Sequence, residues 1–93
     1  MLHLYNSYVQ YSKAQETYLH ACRKTPSSQT WKGVGVASYH LNDLSQAEDA
    51  LCEANTLNNL DPIVWGYLTL VCLKVCLYTH IIALCAYLHV TVV

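Results

Sequence analysis

A chain of 93 residues is enough for one small domain. Five Lys and Arg against six Asp and Glu leave a net charge of −1, which excludes the basic footprint of a nucleic-acid binder. Charged residues make up only 12% and apolar residues 54%, so the chain is either unusually buried or incomplete.

The charges are unevenly spread. All six acids lie at or before Asp61, and beyond it only Lys74 is charged. The five cysteines, Cys22, Cys52, Cys72, Cys76 and Cys85, are odd in number. Met1–Tyr5 lacks the basic region and apolar core of a secretory signal. A reducing compartment follows, with free thiols packed as small apolar groups.

Residues 1–25 read as a helix. Tyr5, Tyr8, Tyr11, Ala14, Tyr18 and Ala21 recur at intervals of three and four, an apolar stripe at helical period. A break between Asn6 and Gln10 is weakly signalled. Arg23 and Lys24 suit a helix C-terminus, and Thr25-Pro26-Ser27-Ser28 ends this helix and caps the next.

Residues 29–41 form the second helix, with Trp31, Val34, Gly35 and Ser38 on one side. Gly33 and Gly35 each cost a helix about 1 kcal/mol relative to Ala. Close approach of a neighbouring helix is the simplest reason to keep them. Asn42-Asp43-Leu44-Ser45 is the turn. Ser45 followed by Glu48 has the spacing of a capping box, with Asp49 adding negative charge to the first turn. The third helix, Gln46 to about Leu57, carries Ala47, Ala50, Leu51, Ala54 and Leu57 on one stripe, and Asn58-Asn59 ends it. Asp61-Pro62 opens a fourth segment, as cap and first helical residue, followed by Trp65, Leu68, Thr69, Cys72 and Leu73.

Trp31 recurs at Trp65, 34 residues on, an interval that fits a helix–turn–helix repeat. The pattern Trp31, Val34, Gly35 returns as Trp65, Leu68, Thr69. Ala47, Leu51, Ala54 is preceded by Ala14, Tyr18, Ala21, and Pro26 falls five residues after Ala21. These half-motifs resemble the tetratricopeptide repeat over roughly residues 2–74, with Ser38 and Cys72 standing where that family usually has Tyr. The resemblance implies an all-α fold of antiparallel helix hairpins stacked as a short superhelix. Trp31, Val34, Gly35, Ala47, Leu51, Ala54, Trp65 and Leu68 are then its packing residues.

Residues 1–74 are accordingly assigned to repeats: a first partial unit truncated at Met1, a complete unit over 28–59, and a third beginning at 61. Stacked repeats bury their faces on neighbours and need about three units for stability, so one full and two partial units imply marginal stability. Within the family, Tyr18 to Val75 is similar to the C-terminal repeats of an axonemal member linked to outer dynein arms and ciliary beating. That implies a non-catalytic scaffold in cilium or flagellum assembly or motility, partnered by axonemal or dynein-arm components. Its location would be the axoneme or the cytoplasm.

On this arrangement Tyr39 lies next to the packing stripe, toward the concave side, and Gln29, Lys32, Val36, Tyr39, His40 and Lys74 form either a candidate partner groove or simply a solvated face. Co-chaperone relatives clamp a terminal carboxylate there with Lys and Asn. Lys32 matches one such Lys, but Val36 stands where Asn is wanted, which argues against a clamp.

No catalytic, cofactor or metal site is expected. Cys72, Cys76 and His80 share a helix face at four-residue spacing, but this is not the C-x2-C spacing of zinc sites and no fourth ligand is near. No acid or oxyanion donor is signalled beside any Cys–His pair. Gly33-Val34-Gly35 lacks the third Gly and preceding strand of a nucleotide loop.

After Lys74 the repeat stops. Val75–Val93 is uncharged and apolar on all sides, near the length of a bilayer span. As a membrane anchor it would make this a small membrane-anchored repeat protein, the alternative to the scaffold. Tyr78, Thr79, His80, Tyr87, His89 and Thr91 dilute that pattern, and no basic cluster flanks it. An isoform-type end, helical and lying against the last hairpin, accounts better for the abrupt stop. Its end, Val90-Thr91-Val92-Val93, is an aggregation liability.

Overall fold

A computed structural model describes the backbone of residues 2–92 and the side chains of residues 6–88. Tyr5, His89 and the Val90–Val93 stretch singled out above therefore lie outside the described side chains. All regular structure among the described residues is helical: α1 (Leu2–Lys24), α2 (Ser28–His40), α3 (Leu44–Leu57) and α4 (Pro62–Val92).

Local chemistry sets each boundary. α1 runs unbroken through Asn6–Gln10 and ends with Arg23 and Lys24 in its last turn, one residue short of Thr25-Pro26. Ser27 caps α2 with a reciprocal pair of bonds. Its hydroxyl accepts the Thr30 N–H at 3.2 Å, and its own N–H donates to the Thr30 hydroxyl at 2.9 Å. At the other end of α2, Asn42 takes the left-handed conformation (φ 63°). The Asn42 N–H reaches the Tyr39 carbonyl at 3.0 Å and the Asp43 N–H the Ser38 carbonyl at 2.9 Å, closing a Schellman turn.

That closure corrects the start of α3. Asp43 is the cap, its carboxylate accepting the Gln46 N–H at 3.4 Å, and Leu44 is already helical. Ser45 is therefore inside the helix, with no capping box to Glu48, and Asp49 lies beyond the first turn. Asn58 caps the far end. Asp61 then starts α4 by accepting the Ile63 N–H at 2.9 Å, and Pro62 is the first helical residue.

α2 is the central element, packing against α1, α3 and α4. Gln15 meets Ser38 and Tyr18 meets Gly33, so α1 and α2 run antiparallel. Leu51 meets Gly35 across the short turn, so α2 and α3 do too. Lys32 meets Asp61 while Tyr39 meets both Tyr67 and Lys74, so α2 and α4 run in the same direction. The core has two adjoining parts. Ala47, Leu51 and Ala54 of α3 pack with Val64 and Val71 of α4. Cys22 of α1, Val34 of α2 and Ala50 of α3 form the second, and Trp31 touches both. The buried Ser38 hydroxyl accepts a 2.9 Å bond from the Gln15 amide, which satisfies it between α1 and α2.

Of the cysteines, all free, only Cys22 is packed inside. Cys52, Cys72, Cys76 and Cys85 are exposed, contrary to the expectation of buried thiols, because no helix among the described residues covers those faces of α3 and α4. α4 departs from expectation as well. It continues straight through Lys74 for 31 residues, with no turn and no return against the last helix pair. No Pro, Gly or polar cluster after Lys74 interrupts the ladder. Its length of roughly 46 Å at 1.5 Å per residue sets the longest dimension of the molecule, 54 Å. The described side chains from Val75 to Leu88 are all exposed. By length and composition alone, Pro62–Leu88, with a mean hydropathy of 2.0, is long and apolar enough to cross a membrane.

Candidate protein-binding face

The expected packing residues fall in different settings. Val34, Gly35, Ala47, Leu51 and Ala54 are buried and Trp31 is half-buried. Gly35 is where Leu51 enters. A Cβ added there would lie 2.5 Å from Leu51 Cγ and 3.3 Å from the α3 backbone nitrogen. Gly33 plays the same part for the Tyr18 ring of α1. In the third unit Leu68 is half-buried, but Trp65 is 51% exposed, its indole N–H donating to the Asn59 carbonyl at 2.8 Å. No helix among the described residues covers α4 where α3 covers α2.

The six residues expected to form a groove separate into two adjoining sets. Gln29, Lys32 and Val36 line an open cleft of about 320 Å³ between α1 and α2, completed by Tyr11, Ala14, Tyr18, Gly33 and Ala37. Tyr39, His40 and Lys74 belong to an aromatic cluster. The His40 ring stacks on Tyr11 at 4.3 Å between centroids, and lies within hydrogen-bonding distance (3.3 Å) of the Tyr67 hydroxyl. Tyr39 meets Tyr67 edge-on at 5.4 Å. The Lys74 ammonium sits 4.2 Å above the Tyr39 ring, a cation–π contact of roughly 0.5–1 kcal/mol. Tyr11 belongs to both sets and joins them into one face across α1, α2 and α4.

Lys32 is not available as an anion clamp. Its ammonium donates to Asp61 Oδ2 at 2.9 Å, and both side chains are largely covered. The bond from Lys32 holds the Asp61 carboxyl below the usual carboxylate range, helped by the Ile63 N–H. With Val36 beside it, this part of the cleft offers apolar surface and no free cation. The acids Glu48, Asp49 and Glu53 are exposed on α3 around Cys52. Partial burial of the Cys52 thiol, and next the carboxylates of Glu48 and Asp49, push its pKa up.

Tyr11, Tyr18, Tyr67 and Asp61 are members of this face that the sequence did not single out as such. The tyrosines of α1 read as packing stripe and Asp61 as a helix cap. The 34-residue offset was the available signal for Tyr67, which stands where Gly33 stands one unit earlier. Cys72, Cys76 and His80 are exposed, and among the described residues no group of three His, Cys, Asp or Glu is placed to hold a metal.

The chain is 58% identical over 66 residues to cilia- and flagella-associated protein 70 of Homo sapiens, and equally to that of Macaca fascicularis. The match covers 71% of this chain and 6% of each relative, so the chain spans a small part of the proteins it resembles. No solved structure matches significantly. The family model for the cilia and flagella-associated protein 70 C-terminal domain, a tetratricopeptide-repeat domain, matches residues 1–76. The chain therefore belongs to the cilia and flagella-associated protein 70 C-terminal domain family.

Proposed function

We propose that this chain is a non-catalytic protein-interaction scaffold of the cilium or flagellum. Its helices act as antiparallel hairpins stacked in a short superhelix, and it serves axoneme assembly or motility with axonemal or outer dynein-arm components as partners. Family membership supports the setting. The observation that carries the interaction role is the joined face of Tyr11, Tyr39, His40, Tyr67 and Lys74. Aromatic rings with polar tips are among the side chains that dominate protein interfaces, and the Lys74 ammonium lies over one of them. The neutralised Lys32–Asp61 pair makes the adjoining cleft apolar, so whatever seats in it presents aliphatic or aromatic groups rather than a free carboxylate.

The test is localisation in ciliated cells. The tagged chain should enter cilia and stay with the axoneme after detergent removes the membrane, and His40→Asp with Lys74→Glu should release it. Exclusion of the wild-type chain from cilia, or equal retention of the double variant, would contradict the proposal.

A further inference from the structure

The two ends of the molecule carry faces that correspond through the repeat. Inside the chain, α2 lies in the crevice between α3 and α4. Leu51 of α3 enters at Gly35, and Tyr39 of α2 meets Tyr67 of α4. Two offsets carry that arrangement to the ends. α4 repeats α2 at an interval of 34 (Trp31 to Trp65, Gly35 to Thr69), and α1 precedes α3 by 33 (Ala14 to Ala47, Tyr18 to Leu51). The crevice between α1 and α2 is thus the counterpart of the one that α2 fills between α3 and α4. It is open, as the cleft lined by Tyr11, Ala14, Tyr18, Gly33 and Val36. α4 in turn is the counterpart of the helix that fills such a crevice, and its matching face is uncovered.

Burial shows the same asymmetry. Ala47 and Leu51 are 0% exposed beneath α2, whereas their counterparts Ala14 and Tyr18 remain accessible, Tyr18 at 41%. On α4, Trp65 and Leu73 are 51% and 56% exposed, whereas their counterparts Trp31 and Tyr39 are packed against the core.

We infer that α4 of one copy of this chain seats in the α1–α2 cleft of a second copy, joining the chains head to tail. In this register Thr69 stands opposite Tyr18, and Cys76 opposite Tyr11. The length of α1, which runs on to Leu2, accompanies α4 through Cys85. The exposed apolar extension of α4 is thereby laid along the half of α1 that bears Tyr8 and Tyr11. A bilayer is the less suited occupant. The Tyr78 hydroxyl donates to Asn42 at 3.3 Å, tying the first turn of the extension to the polar α2–α3 turn. Because the two faces differ, the contact is heterologous and leaves a free face at each end, so chains add progressively with concentration.

The experiment uses the 93-residue chain with Ala14→Glu, which places a carboxylate in the cleft, and Leu73→Glu, which places one on the α4 face. Both sites are accessible in the monomer, and circular dichroism checks that each variant stays helical. Wild-type chain should grow from monomer to dimer and beyond with concentration in light scattering after size exclusion. Each variant alone should associate more weakly by roughly tenfold or more, since a charge buried against apolar surface is unpaired. An equimolar mixture should form a one-to-one dimer that grows no further, because Ala14→Glu retains an intact α4 and Leu73→Glu an intact cleft. Val36→Glu with Leu77→Glu repeats the test at independent positions. Wild-type-like association of either variant alone would overturn the inference, as would a mixture that stays monomeric. So would a wild-type monomer that partitions into phosphatidylcholine vesicles instead.

Discussion

The glycines of α2 and α4 yield a prediction whose sign depends on packing alone. Replacing a glycine inside a helix by alanine gains about 1 kcal/mol from backbone propensity wherever the methyl group has room. At Gly66 nothing lies within 4 Å of the new Cβ, so Gly66→Ala should stabilise by about that amount. At Gly35 the same methyl would lie 2.5 Å from Leu51 Cγ, 2.7 Å from Leu51 Cδ2 and 3.3 Å from the α3 backbone. Leu51 is fully buried among Ala47, Ala54, Val64 and Val71, so it cannot swing aside. Overpacking of this kind costs about 1–3 kcal/mol, enough to reverse the propensity gain at all but the low end. Gly33 is intermediate, because the obstructing Tyr18 ring is partly exposed and able to turn outward. Thermal unfolding followed by helical circular dichroism should rank the variants Gly66→Ala, wild type, Gly33→Ala, Gly35→Ala in falling order. Each kcal/mol moves Tm by roughly 4–8 °C in a domain of this size. A Gly35→Ala variant as stabilised as Gly66→Ala would refute the close approach of α2 and α3.

Other consequences follow from single contacts. Ser27→Ala removes one side of the reciprocal cap on α2 and should lower stability by about 1 kcal/mol in urea denaturation. Asp61 has a folded pKa below its unfolded value, so its contribution is present above about pH 4 and is lost as pH falls through the depressed pKa. Asp61→Asn keeps a capping side chain but removes the charge facing Lys32. Its unfolding midpoint should therefore depend less on pH across the acid range than that of wild type, and parallel profiles would contradict the ion pair. With its pKa raised, Cys52 should react with iodoacetamide at pH 8 more slowly in the folded chain than in urea, as read by mass spectrometry of the labelled peptides.

Much of the helical order was legible because its signals are local. Pro26 and Ser27 mark the α1–α2 boundary, Asp61-Pro62 marks the start of α4, and the glycines announce close helix approach. The start of α3 was misread for a reason equally local. Ser45 and Glu48 match the capping-box spacing, but the left-handed Asn42 finishes α2 in two residues and hands the cap to Asp43. Sequence spacing alone does not show which of two competing turn chemistries closes first. The course of α4 beyond Lys74 was harder, since an all-round apolar segment has no period to say which side is covered.

The candidate face was legible only as a set of positions on α2 and α4. Lys32 looks like a free cation until Asp61, 29 residues away, is placed beside it, and His40 gains meaning only when Tyr11 and Tyr67 converge on it. Such convergence depends on how α1, α2 and α4 pack, which is a property of the assembled chain.

The central claim, that this aromatic face holds an axonemal partner, is tested most directly by co-sedimentation with purified demembranated axonemes. The wild-type chain should bind saturably. A variant carrying His40→Asp and Lys74→Glu should bind at least about tenfold more weakly, as expected for loss of interface anchors, while Glu53→Lys on the outer side of α3 binds as wild type. Equal binding by the wild type and the double variant, or no saturable binding at all, would contradict the account.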